Sequence, residues 1–384
     1  MRATAPTRRQ LVVILLLIIC LSAVYAAALR LVAAATWPES VLLALVCLLA
    51  APLLLTLVVK VLSVPKSLAR FSRTLYRVLA HIMSLSQYLL PWLGWSALIA
   101  LLGGRDMTWA IALRAGAAIA AISYLAGFAL VMILRPRADA VEFTTLDVPI
   151  PGLPNVFDGY RILHLSDLHG DAPLARASAR QRLARASELS PDIVVFTGDL
   201  AARPDAIAAM AKEMTRLRAT DGQFAVIGNH DAWMGEERVA DALSRAGYRV
   251  LANEHVAVDR QGHKLYLAGV RDASYTRADD LPASLRGIPE GAPVIVISHS
   301  PDIVLKPAAK RAALILAGHT HGGQVVFPWL GPVYIPTRLG RRRMAGLFEV
   351  NGRKVFITRG LGEVFPPFRL NCPPEIALIT LRSV

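Results

Sequence analysis

Four apolar runs within the first 135 residues constrain this chain more than any other feature. They cover residues 11–29, 41–59, 85–102 and 115–134, each close to the roughly 20 residues a helix needs to cross about 30 Å of hydrocarbon. No helical period separates a polar from an apolar face in them, as lipid on most sides requires. Trp37, Trp92, Trp95 and Trp109 fall close to the expected ends or within a turn or two of them, broadly where interfacial aromatics collect. The apolar fraction of 54% over 384 residues and the mean hydropathy of +0.46 exceed those of an ordinary soluble protein. Four transmembrane helices over residues 1–137 are therefore expected, with buried helices of a large soluble core as the competing reading.

Charge sets the expected orientation. Up to residue 140 there are 13 Lys/Arg against 3 Asp/Glu, a net of +10, and beyond it 29 against 25, a net of +4. Arg2, Arg8 and Arg9 precede the first run, and Lys60, Lys66, Arg70, Arg73 and Arg77 lie between the second and third. Arg105, beside Asp106, follows the third, and Arg135 and Arg137 close the fourth. Positive loops stay inside the cell, so the expectation is a multi-pass protein of the cell inner (cytoplasmic) membrane with residues 138–384 in the cytoplasm. The stretch "TRRQLVVILLLIICLSAVYA" also has the make-up of an export signal. A basic chain facing anionic head groups has membrane lipids, not nucleic acid, as its partner. No Asp or Glu lies inside any run, which disfavours a proton-coupled transporter. Three scattered cysteines, Cys20, Cys47 and Cys372, argue against a disulfide framework.

After "RPRADA" the pattern changes. "YRILHLS", "DIVVFTG", "QFAVIG", "KLYLAGV", "PVIVIS" and "AALILAG" each read as a short buried strand, with helix candidates at 174–189, 205–219 and 236–246. That alternation predicts an α/β domain, whose sites gather at the carboxyl ends of the strands. Those ends read "SDLHG", "TGDL", "GNHD", "SHSPD" and "AGHTHGG". They offer Asp167, His169, Asp199, Asn229, His230, His299, His319 and His321: carboxylate, amide and imidazole donors without cysteine, a set suited to Mn²⁺, Fe or Zn²⁺. In an extended segment residues two apart point the same way, so His319 and His321 are expected to face one cavity.

The five motifs in this order resemble the calcineurin-like metallophosphoesterase superfamily. "PGLPNVFDGYRILHLSDLH", "GHTHGGQVVFP" and "RGLGEVFPPFRLNCPPEIALITL" are similar to its YkuE-like branch, in which N-terminal transmembrane helices occur. The likeness runs from about Val141 to the C-terminus. It implies two stacked mixed sheets flanked by helices and two divalent metal ions. Asp167, His169, Asp199 and His321 would hold one ion, and Asp199, Asn229, His299 and His319 the other, with Asp199 bridging. It also implies hydrolysis of phosphodiester or pyrophosphate bonds by a water activated between the ions. His230 would serve as general acid or electrostatic stabiliser, oriented by Asp231. The implied substrate is phosphorylated and can be lipid-linked, such as UDP-2,3-diacylglucosamine.

Relatives often carry an Asp where this chain has Ala202, so a carboxylate partner for His230 must come from elsewhere. His164 reads as a packed or supporting residue, and His81, His255 and His263 as surface or loop residues. Arg341, Arg342 and Arg343 read either as a solvated face or as contacts for phosphate or lipid head groups. Arg369 and Glu375 suit structural ion pairing as well as catalysis. The competing function is a membrane receptor or scaffold that binds a phosphorylated ligand without turnover.

Overall fold

The computed structural model describes residue 122 and residues 140–384 except 172, 333 and 365–367. In chain order its strands and helices are β1 (Glu142–Ile150), β2 (Arg161–Leu165), α1 (Pro173–Ala186), β3 (Ile193–Phe196), α2 (Pro204–Met214), β4 (Gln223–Ala225), α3 (Asn229–Arg245) and β5 (Tyr248–Val250). There follow β6 (Glu254–Arg260), β7 (His263–Gly269), α4 (Leu281–Leu285), β8 (Val294–Ser298), β9 (Leu314–Ala317), β10 (Val326–Phe327), β11 (Gly331–Pro332), β12 (Gly346–Val350), β13 (Arg353–Ile357) and β14 (Glu375–Ser383).

Two six-stranded mixed sheets result, ordered β1-β14-β2-β3-β4-β5 and β12-β13-β9-β8-β7-β6. Alternation along each strand decides which face meets which layer. On β2, Ile162 joins Val195, Phe224, Leu267, Ile297, Leu316 and Ile379 between the sheets. Its neighbours Leu163 and Leu165 instead pack under Leu183, Met210 and Leu243 of α1, α2 and α3. The outer face of the second sheet is covered by Leu281 and Leu285 of α4 and by Ile303 and Val304. Strands β2 to β5 run parallel, as do β7, β8, β9 and β13, so their following loops gather at shared edges.

The expected fold class needs correction in its membrane half. Among the described residues no helix is long and apolar enough to cross a membrane. The longest, α3, has 17 residues, or roughly 25 Å at 1.5 Å per residue, and carries Asp231, Glu236, Glu237, Arg238, Asp241 and Arg245. Apart from Ile122, the four apolar runs, with Cys20 and Cys47, and His81 lie outside the described residues. What the structure describes is the α/β domain with its mixed sheets.

All six strands read from the sequence form. Helix α3 begins seven residues before its expected start at 236, because Asp231 accepts the Gly228 N–H at 3.1 Å and caps the first turn. Gly235, at φ +107, then kinks the helix.

His164 shows how the interior limits charge. It is fully buried, holds Thr197 Oγ1 at 2.9 Å and meets the Phe356 ring edge-on. Burial pushes its imidazole down to about 3, so the folded chain resists a proton that the unfolded chain binds below the ordinary value of 6.5. The His164 contribution is therefore neutral above 6.5 and becomes destabilising as pH falls from there towards 3. Between about pH 7.5 and about pH 5.5 it should cost roughly 1 kcal/mol. Urea unfolding at both values should show H164Q losing less stability on acidification than the wild type by about that amount.

Candidate functional site

Each expected ligand sits where a strand ends. Asp167 and His169 follow β2, and Leu168 between them is buried in the core. Asp199 follows β3, Asn229 and His230 open α3 after β4, His299 follows β8, and His319 and His321 follow β9. Asp167, His169, Asp199, His319 and His321 all have positive φ, from 43° to 70°, a region that costs an L-residue roughly 1–2 kcal/mol. Such strain persists where the surroundings over-determine it, and it clusters at functional sites.

Glycine lets the loops meet. A Cβ on Gly318 would lie 2.5 Å from Asp167 Oδ2, and one on Gly198 would lie 2.5 Å from the Gly228 nitrogen. The β9 loop is thus pressed against the β2 loop, and the β3 loop against the entry to α3.

The side chains form two adjoining clusters. In one, His321 Nε2 lies 3.4 Å from Asp167 Oδ1 and 3.2 Å from His169 Nε2, which is 3.5 Å from Asp199 Oδ2. In the other, His299 Nε2 lies 3.3 Å from Asp199 Oδ2, 3.0 Å from Asn229 Oδ1 and 3.0 Å from His319 Nδ1. Asp199 Oδ2 belongs to both. His230 stands at the rim, its ring 4.8 Å from that of His169 and 4.4 Å from that of Trp233. All seven expected ligands and His230 are brought together.

Burial holds His169 and His321 well below the usual imidazole range and His319 at about 4. All three therefore offer neutral lone pairs, the form that binds metal. Burial acts downward on His299 too, yet the Asp199 carboxylate beside it prevails and raises it to about 10. Asp199, despite its own burial, is held well below the carboxylate range by His299, His230 and His169. Asp167 Oδ1 is buried and accepts no hydrogen bond, although the imidazoles of His321 and His169 lie within 4.0 Å. Buried acceptors converging without enough protons fit a divalent cation. Asp167, His169 and His321 form one group able to hold an ion, and Asp167, Asp199 and His299 another.

Two sequence expectations change. Asp231 does not orient His230. Its Oδ2 accepts the Asp199 N–H at 2.7 Å and its Oδ1 that of Leu200 at 2.9 Å, so it braces the backbone beneath Asp199. Residues 319–321 are not extended: both histidines are left-handed, and His321 opens a 3-10 turn in which Thr320 Oγ1 accepts the Gly322 N–H at 3.2 Å. The two imidazoles converge through that turn.

Other features have little signature in the sequence. Arg369, buried among backbone, donates to the carbonyls of His321, Arg359, Gly360, Gly362 and Cys372. Glu375 pairs instead with Arg359 at 2.9 Å, so the two candidates serve separate structural roles. His255 Nδ1 meets the Ser284 carbonyl at 2.9 Å, and His263 is exposed at a strand start. Trp233 and Tyr275, half-exposed and edge-to-face at 5.2 Å, extend the rim beyond His230. Asp272 holds Tyr275 there by accepting the N–H groups of Ser274, Tyr275 and Thr276.

Comparison with known proteins points to one family. The model of the calcineurin-like phosphoesterase family matches residues 160–323, a span that includes every expected ligand. The metallophosphoesterase YkuE of Bacillus subtilis is 30% identical over 277 residues, covering 71% of this chain and 94% of its own. The phosphodiesterase YaeI of Escherichia coli is 30% identical over 227 residues, covering 58% of this chain and 82% of its own. A transmembrane protein with metallophosphoesterase domain from Bos taurus is 29% identical over 303 residues, covering 73% and 65%. With its buried acceptor cluster and this likeness, the chain belongs to the calcineurin-like phosphoesterases, in the branch that includes YkuE, and is a metal-dependent phosphoesterase.

Proposed function

We propose that this phosphoesterase cleaves phosphodiester or pyrophosphate bonds with two divalent ions, Mn²⁺, Fe or Zn²⁺, in a lipid-linked substrate such as UDP-2,3-diacylglucosamine. The observation that carries the two-ion reading is Asp199 Oδ2, which lies 3.5 Å from His169 Nε2 and 3.3 Å from His299 Nε2 and so belongs to both clusters. Asp167, His169 and His321 would hold the first ion with Asp199, and Asn229, His299 and His319 the second. When bound, such ions acidify water and neutralise phosphoryl oxygens. The residues around them do the rest. Asp199 Oδ1 accepts the His230 N–H at 2.9 Å, which fixes that residue beside the shared carboxylate. Among the described residues no hydrogen bond reaches His230 Nδ1, and the ring packs against those of His169 and Trp233. Its rim position suits a group that donates a proton to the departing oxygen.

The diester preference is supported by the name of the YaeI relative. A place at the cytoplasmic face of the inner membrane is supported by the net of +10 in residues 1–140 and by relatives named as transmembrane proteins.

Three outcomes test the proposal. Hydrolysis of bis-p-nitrophenyl phosphate by the full chain should require added Mn²⁺ and fall at least about a hundredfold in D199N. In H230A, kcat should drop roughly 10²–10⁴-fold with metal content unchanged. A loss of metal in H230A would make it a ligand instead of a proton donor. For the lipid-linked reading, UDP-2,3-diacylglucosamine should give a higher kcat/KM than its deacylated analogue; equal values would leave a soluble substrate.

A further inference from the structure

Four of the exposed large apolar side chains among the described residues fall within one short segment, Phe327, Trp329, Leu330 and Tyr334. Strands β10 and β11 pair antiparallel, Val326 with Pro332 and Phe327 with Gly331, and form a short hairpin. Trp329 at its tip is fully exposed, Tyr334 is 72% exposed and Leu330 68%, with Phe327 half-exposed below them. Isolated apolar side chains on a surface need no explanation, but a projecting group of two aromatics and a leucine marks an interaction surface.

Charge identifies the partner. Residues 326–344 contain four arginines, Arg338, Arg341, Arg342 and Arg343, and no Asp or Glu. All four side chains are exposed, and among the described residues none has an ion-pair partner. An apolar tip rich in Trp and Tyr with unpaired arginines behind it matches the boundary between acyl chains and anionic head groups. A protein partner of the same size would be expected to meet so much uncompensated positive charge with carboxylates, whereas an anionic lipid surface meets both features at once.

The hairpin is tied to the metal-binding loop. Val326 N donates to the Leu370 carbonyl at 3.0 Å, and Asn371 Nδ2 donates to the Val326 carbonyl at 3.0 Å. Thr320 Oγ1, between His319 and His321, donates to the Met344 carbonyl at 2.6 Å. A Cβ on Gly323 would meet Pro332 at 2.6 Å and Met344 at 3.4 Å. Both the hairpin and the turn carrying the arginines therefore rest on the loop that supplies His319 and His321.

We propose that residues 326–332 and Tyr334, with Arg338 and Arg341–Arg343, dock this domain on an anionic lipid surface and hold the metal-binding loop at that surface. The docking does not depend on which phosphate bond is cleaved.

The test uses the full chain in vesicles of phosphatidylcholine alone or mixed with phosphatidylglycerol, with brominated acyl chains as quencher. The signal is the tryptophan emission that the wild type has and W329F lacks. It should be blue-shifted and several-fold more quenched in the anionic vesicles. R341E/R342E/R343E should lose that quenching by about tenfold while hydrolysing bis-p-nitrophenyl phosphate at the wild-type rate. Trp329 emission that stays at the position of water-exposed indole and unquenched in both vesicles overturns the proposal. So does a blue shift without bromine quenching, since another protein surface, from this chain or a second copy, would then cover the hairpin.

Discussion

A carboxylate with 1% exposure needs a compensating positive charge or hydrogen-bond donors, because the interior solvates an ion poorly. Asp199 is such a group, and the surrounding structure answers it. Its Oδ1 is met by the His230 N–H, and its own backbone is held by Asp231. Its Oδ2 faces His169 from the first sheet and His299 from the second. His299 is aimed by a second contact across the sheets, its Nδ1 standing 2.7 Å from the Thr197 carbonyl. The apolar layer between the sheets thus does more than stabilise the fold. It fixes the separation at which ligands from two sheets meet one carboxylate.

The same demand explains why so much backbone is strained. Five of the seven expected ligands occupy the left-handed region, where short polar residues are tolerated better than most. Asp and His can take that conformation and also bind a cation. The strain is held by neighbours with little freedom: Gly318 against Asp167, Gly198 against Gly228, and Arg369 across the carbonyls of the His321 and Gly360 segments. A metal bound at the centre would share this burden, since charge attraction would then oppose the left-handed cost.

Much of the domain is legible in the sequence, because buried parallel strands read as short apolar runs and their polar ends carry the ligands. "DIVVFTGDL" announces both β3 and Asp199. Legibility fails where a role depends on backbone geometry. Asp231 follows His230 and so reads as its partner, but the helix start at Asn229 turns it towards the Asp199 and Leu200 amides. "HTH" suggests alternation along an extended segment, while Gly322 and Gly323 permit a 3-10 turn. Arg369 invites an ion pair, yet it serves carbonyl oxygens, which leave no mark in a sequence. The exposed hairpin is hidden for a similar reason: "VVFPWLGPVYIP" is apolar enough to pass for core, and only its turn at Trp329 and Gly331 carries it outward.

The most direct test of the central claim is anomalous diffraction at the manganese edge from crystals of the protein grown with Mn²⁺. The account predicts density on both sides of Asp199 Oδ2, one peak among Asp167, His169 and His321 and one among Asn229, His299 and His319. Manganese bound elsewhere, or no peak at this carboxylate under saturating Mn²⁺, would contradict it.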